Sequence, residues 1–96
     1  MSGLAIYRFR LYVAGDGPNS LQARANLSAL CRDHLPNRHQ IEIIDVIKEP
    51  ERALAERIFM TPTLVKLAPV PALSIVGTLS QKQILLQTLG IDPLDA

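Results

Sequence analysis

Apolar and polar residues alternate with period two at the start of the chain. Tyr7, Phe9, Leu11 and Val13 fall on one side, Arg8, Arg10 and Tyr12 on the other. That pattern predicts a strand from Ile6 to Ala14, with a polar face at its near end and the Leu11–Ala14 end fit for burial on both sides. Gly15-Asp16-Gly17-Pro18-Asn19-Ser20 reads as a turn into a helix, with Asp16, Asn19 or Ser20 as the candidate N-cap. Ala23, Leu27, Leu30 and Cys31 then recur at helical spacing, which carries the helix to about His34, where Pro36-Asn37-Arg38 stops it. Ile41 to Ile47 predicts a second strand. A strand–helix–strand unit of this length implies a parallel pair with a right-handed crossover. Lys48-Glu49-Pro50 opens a second helix, with Glu49 and Glu51 at its positive end and Arg57 at its negative end. Leu54 and Ile58, four apart, are expected to face the core.

Pro62 stands directly before an apolar, β-branched run. It suits the first turn into a strand, because proline has no N–H to give to a ladder. The Thr61-Pro62 bond is open to either isomer, the cis form of such a bond costing only about 0.5–1 kcal/mol. Thr63 to Leu67 predicts the third strand. Ala68-Pro69-Val70-Pro71 follows, and Ala72 to Val76 predicts a fourth strand as its antiparallel hairpin partner. For the last helix, Ser80 and Gln83 have capping-box spacing, Leu79 and Ile84 have staple spacing, and Gly90 with Pro93 marks the stop. The element order is βαβαββα, an α/β arrangement of the thioredoxin-like type. Its expected strand order is 2-1-3-4, with the second and fourth strands at the edges. Residues 1–96 are expected to form one such domain.

Hydrophobic residues make up 48% of the 96, which is high for a small chain and points to a partly buried, self-associating surface. The net charge is +1 with both signs interspersed, so no nucleic acid or membrane partner is expected. No apolar run approaches the roughly 20 residues of a membrane span, and nothing at the start reads as a signal peptide. One cysteine, Cys31, excludes an intrachain disulfide and fits a reducing compartment. A cytoplasmic protein is expected.

Catalytic chemistry is hard to find. A thioredoxin-fold oxidoreductase keeps its reactive thiolate at the start of the first helix, where the dipole lowers its pKa. Here Gly15-Asp16-Gly17-Pro18-Asn19 holds no cysteine, and Cys31 falls on the apolar stripe as a core residue. A glutathione-binding module would want polar groups around Thr61 and Ser80 and usually a second, helical domain. His34 and His39 have no third ligand nearby and are expected to be solvated loop histidines. Gly15 and Gly17 are not followed by a phosphate-loop signature. No catalytic residue, cofactor or metal is therefore expected. A redox or glutathione-dependent thioredoxin-fold enzyme lacking the paired cysteines is the competing possibility. What remains is surface: a charged second helix with Lys48, Arg52 and Arg57, Lys66 on the adjoining strand, and an apolar edge strand at Ile41 and Ile43. A charged helix face is most often simply solvated, while an uncovered edge invites strand addition by a partner.

Leu11-Tyr12-Val13-Ala14-Gly15, Pro18-Asn19-Ser20, Ile44-Asp45-Val46, Lys48 with Pro50, Thr61-Pro62-Thr63-Leu64, Lys66, Ile75-Val76-Gly77 and Leu79-Ser80 follow one another along nearly the whole chain. In that order and spacing they resemble the KaiB family of the cyanobacterial circadian clock. The resemblance implies a non-enzymatic protein that binds the ring of a KaiC-type hexameric ATPase and modulates its phosphorylation and ATPase cycle. It further implies KaiA-like or histidine-kinase clock proteins as additional partners. Arg57 and Lys66 stand where the family has lysines and are the two positions the resemblance carries over; with Lys48 and Arg52 of the charged helix face they are the expected partner-binding residues. Strand addition is expected at Ile41 and Ile43.

The resemblance also implies two folds: the thioredoxin-like monomer, and a resting tetramer of order βαββααβ with a rearranged second half. Two packings of one chain coexist only when they differ by a few kcal/mol. Pro62, Pro69, Pro71, Gly77 and Thr78 are the expected switch determinants, the prolines for their isomerisable bonds and Gly77 for its backbone tolerance. Thr78 replaces a family aspartate, Pro69-Val70-Pro71-Ala72-Leu73-Ser74 lacks the family's arginine pair, and Ala96 ends the sequence before the family's acidic tail.

Overall fold

The structure is a computed structural model that describes residues 5–91. Its elements are β1 (Tyr7–Val13), α1 (Pro18–His34), β2 (His39–Asp45), α2 (Pro50–Ala55), β3 (Thr63–Ala68), β4 (Leu73–Val76) and α3 (Lys82–Leu89). The expected βαβαββα order holds, and the resting-state order does not describe this structure. The sheet runs β2-β1-β3-β4, with β1 parallel to β2 and β3 antiparallel to both β1 and β4.

Alternation along β1 divides the sheet's two faces. Tyr7, Phe9, Leu11 and Val13 join Leu64 of β3 in one core with Ala23, Leu27, Leu30 and Cys31 of α1, Leu35 just after it, Leu79 on the approach to α3, and Leu85, Leu86 and Leu89 of α3. Ile41, Leu73 and Ile75 pack against that core from the two edge strands. The opposite face carries Arg8, Arg10 and Tyr12 and is covered by α2. There Tyr12 and Ile44 are fully buried, and Ala53 is the buried residue of α2. Leu54, expected in the core, is 68% exposed. A helix of only six residues turns one narrow side inward, and that side is Ala53.

The strand and helix ends differ from expectation for local reasons. β2 begins two residues early because the Arg38 carbonyl takes the Tyr7 N–H at 2.8 Å and opens the ladder there. It ends at Asp45, whose Oδ1 accepts from the backbone N–H groups of Gly15 (3.1 Å) and Ile47 (2.9 Å) and turns the chain. Those two donors hold the Asp45 carboxyl below its usual range. The N-cap of α1 is Gly17, not Asp16, Asn19 or Ser20, and Pro18 supplies the first-turn geometry. Ser20 is instead buried, its hydroxyl accepting from the Ala14 N–H at 3.1 Å. The Ser80–Gln83 capping box is also not formed: Gln81 is the N-cap and no side chain caps it. Ile84 is exposed, so the staple is absent too.

The other end of α3 is built as expected. Gly90 takes φ +76°, its N–H reaches the Gln87 carbonyl at 3.2 Å, and the Ile91 N–H reaches the Leu86 carbonyl at 2.8 Å. These two bonds form a Schellman motif around a left-handed residue, closed by buried Ile91. Pro93 lies outside the described residues. Substitution at the two ends should therefore separate. Gly90→Ala is expected to cost about 1–2 kcal/mol, the left-handed penalty of an L-residue, whereas Ser80→Ala should stay within about 0.5 kcal/mol. Urea melts of the two variants check this, and a larger cost for Ser80→Ala would contradict it.

Candidate functional site

The expected surface cations are not brought together. Lys66 is 3% exposed. It pairs with Phe9 across β1 and β3 and so faces the core side, with its Nζ 6.0 Å from the centroid of the Tyr7 ring. The Tyr7 hydroxyl in turn donates to the Gly90 carbonyl at 3.0 Å. Lys66 is an interior residue whose long apolar stem lies in the packing, and it is no part of an exposed binding face. Arg52 lies on α2, but its guanidinium is committed within the domain, to Glu42 at 3.0 Å and Glu49 at 3.4 Å. Lys48 and Arg57 are exposed.

Lys48 is placed by the turn after β2, where the N–H groups of Lys48 and Glu49 both return to the Asp45 carbonyl. Arg57 is placed by the end of α2. The Arg57 N–H reaches the Leu54 carbonyl at 3.1 Å and the Ile58 N–H reaches the Ala53 carbonyl at 2.8 Å. This is again a Schellman motif, but its left-handed residue is Arg57, at φ +57°. Glycine would occupy that position at lower conformational cost.

Beyond Arg57 the chain exposes Phe59 (79%) and Met60 (63%), and Ile47 and Leu54 are exposed before and within α2. The sequence pattern placed Leu54 in the core, because its helical spacing reads as core, and did not single out Ile47, Phe59 or Met60 as surface residues. The loop carrying Phe59 and Met60 is held from behind. Thr63 Oγ1 donates to the Met60 carbonyl at 2.6 Å, and the Gly77 N–H donates to the Pro62 carbonyl at 3.0 Å. The bonds before Pro62, Pro69 and Pro71 are all cis. Gly77 has φ +128°, and the carbonyl of Thr78 accepts from Asn26 Nδ2 at 2.8 Å. The loop thus rests on the turn between β4 and α3.

Along β2, Ile41 is half-buried against the core and Ile43 lies at the margin of exposure. Among the described residues, the outer side of β2 has no neighbouring strand. On the face covered by α2, β2 carries the charged Glu42.

The groups considered for chemistry sit elsewhere. Cys31 is buried, and burial pushes its thiol up to about 12, the reverse of what a reactive thiolate needs. His34 and His39 are not solvated loop residues. His34 closes α1 at 7% exposure, with neither ring nitrogen hydrogen-bonded among the described residues. His39 belongs to β2, and its Nδ1 donates to the Leu35 carbonyl at 2.7 Å. The 3–4-residue spacing of His34 from Leu30 and Cys31 was the available signal for its burial. Among the described residues no cluster of three His, Cys, Asp or Glu side chains could hold a metal ion. None of their helices is long and apolar enough to cross a membrane.

Comparison with known proteins gives this geometry a context. The family model of the KaiB domain matches residues 10–91. The circadian clock protein KaiB3 of Synechocystis sp. is 42% identical over 84 residues, covering 88% of this chain and 82% of that protein. The circadian clock oscillator protein KaiB of Prochlorococcus marinus (strain MIT 9313) is 38% identical over 94 residues, covering 98% and 77%. Among solved structures, the N-terminal domain of Synechococcus elongatus SasA superposes with a TM-score of 0.70 at 21% identity, covering 94% of this chain and 89% of that one. Chloroplastic thioredoxin z superposes at 0.72 with 20% identity, covering 88% and 79%. The last two are similar in fold, which is thioredoxin-like.

Proposed function

This chain belongs to the KaiB family of circadian clock proteins, and we propose that it is a non-enzymatic member that docks on the ring of a KaiC-type hexameric ATPase and modulates its cycle. The docking surface is α2 with its two flanks. It presents Lys48 and Arg57 as cations and Ile47, Leu54, Phe59 and Met60 as apolar contacts. The observation that carries the proposal is the exposure of Phe59 and Met60 two and three residues after a left-handed Arg57. Large apolar groups bordered by charge are the anatomy of an interface core with its rim. The unpaired outer side of β2, at Ile41 and Ile43, is proposed as the site for a further KaiA-like or histidine-kinase clock partner, by strand addition.

Switching between this fold and a resting tetramer is part of the same proposal. Pro62, Pro69, Pro71, Gly77 and Thr78 are its determinants, since they bracket β3, β4 and the approach to α3. Size-exclusion chromatography over a concentration series would show the resting assembly as a concentration-dependent tetramer or dimer.

Arg57 supplies the discriminating test of docking. Arg57→Glu should weaken binding to a KaiC hexamer about tenfold or more, because charge reversal adds repulsion to lost attraction. Arg57→Gly should also weaken binding while leaving the fold at least as stable, since glycine relieves the left-handed backbone. The checks are titration of the hexamer with each variant, and their urea midpoints. Unchanged affinity in both variants would place the interface elsewhere.

A further inference from the structure

α2 is attached to the sheet differently from α1 and α3. Those two helices enter one apolar core through several large side chains, whereas α2 contributes Ala53. A helix of six residues is far below the length that is stable alone, so its tertiary ties decide whether it forms. The two shortest polar ties converge on one carboxylate. Glu42 Oε1 accepts from Arg10 Nε of β1 at 2.9 Å, and Glu42 Oε2 accepts from Arg52 Nη2 of α2 at 3.0 Å. Arg10 also approaches Glu56, just after α2, at 3.8 Å, and Arg52 reaches Glu49, just before it, at 3.4 Å. Each Glu42 oxygen thus holds a different arginine, and the side chain links β2 to β1 and to α2 at once. The two guanidinium groups hold the Glu42 carboxyl below its ordinary range.

We propose that Glu42 is the positioning residue of α2: it clamps the helix to the sheet through Arg10 and Arg52, so that α2 can be released as a unit without unfolding the core. The pairs are partly solvent-exposed, so salt weakens the clamp, and local opening is expected at lower free energy than global unfolding. The consequence for binding rests on the reading of α2 as the docking helix. A loosened α2 must be re-ordered on the partner, and affinity falls accordingly. The clamp itself does not depend on that reading.

The experiment is amide hydrogen exchange on the full chain, comparing wild type with Glu42→Gln, Arg52→Gln and the double variant at low and high salt. The reporter amides are those of Glu56, Arg57 and Ile58, which bond back to Arg52, Leu54 and Ala53. Leu35, bonded to Cys31 at the end of α1, is the control. Exchange at the three reporters should be about fivefold faster in Glu42→Gln, for two exposed pairs lost, with Leu35 unchanged. Because the two side chains share one link, the double variant should exchange more slowly at the reporters than the two single effects combined would give, Arg52 keeping only its Glu49 tie as a separate contribution. Raising salt should speed the reporters in wild type and have a smaller effect in Glu42→Gln, where only the Arg10–Glu56 and Arg52–Glu49 pairs remain. Reporter exchange equal to wild type, equal acceleration at Leu35, or full salt sensitivity persisting in the variant would each overturn the clamp. Titration of a KaiC hexamer separates the two ideas. If wild type does not bind, the docking proposal fails, while the exchange data still decide the clamp.

Discussion

Lys66→Glu is expected to destabilise this domain by about 3 kcal/mol or more, although the residue looks like an ordinary surface cation in the sequence. The side chain lies against the Tyr7 ring, in a nearly closed space beside the core. An ionised carboxylate there loses its hydration and meets the negative face of the ring, and a polar group buried without compensation costs about 2–7 kcal/mol. The substituted carboxyl escapes by staying protonated, so its folded-state pKa would lie above its unfolded value of roughly 4.3. The sign follows. Below the unfolded value both states are neutral and the cost is least, and it grows as pH rises toward the folded value. Lys66→Met, which keeps the length and apolar stem, should be tolerated far better. Since domains of this kind are stable by only about 5–15 kcal/mol, the contrast is visible in urea midpoints at pH 5 and pH 8. Both variants within about 0.5 kcal/mol of wild type at both pH values would mean that Lys66 behaves as a solvated residue.

Lys66 also marks where the sequence was legible and where it was misread. The β1 alternation, the α1 stripe of Ala23, Leu27, Leu30 and Cys31, and the Gly90 stop were all readable, because each is a periodic or stereochemical requirement repeated in the structure. Connection lengths gave the parallel first pair and the last hairpin, and the strand order followed from the thioredoxin-like element order. Lys66 carried a readable signal as well: it stands two residues after buried Leu64, so period two puts both on the core side of β3. Residue type outweighed position in that case. The caps were not readable. Gln81 and Gly17 begin helices without a side-chain bond, while the serines that match the preferred pattern serve other turns. The exposed apolar residues around α2 were hidden for the opposite reason. Leu54 matched a helical core spacing, but a six-residue α2 offers only Ala53 to the sheet, and tertiary geometry decides which side of so short a helix is covered. The Glu42 clamp was invisible, since it joins residues 32 and 10 positions apart.

Phe59→Ala is expected to cost the greatest share of affinity for the proposed ATPase ring, with little change in stability. At 79% exposure the ring contributes almost nothing to the folded core, so its truncation should move the unfolding midpoint by no more than about 0.5 kcal/mol. Binding differs because an aromatic group buried at the centre of an interface is the commonest kind of hot spot, and its truncation costs about 2–4 kcal/mol. That corresponds to a fall in affinity of roughly 30- to 1,000-fold. The anchor is also pre-positioned. The Met60 carbonyl beside it is fixed by Thr63, and the Pro62 carbonyl by Gly77, so less ordering entropy is lost on docking than for a free loop. Met60→Ala should cost less, because a flexible side chain loses more freedom when buried. Salt separates the apolar contact from the charged one: the Phe59→Ala deficit should be nearly salt-independent, whereas the Arg57→Glu deficit should shrink as salt rises. Titration of a KaiC hexamer at two salt concentrations measures both. A Phe59→Ala protein that binds as wild type would remove the apolar centre from the interface and leave only its charged rim.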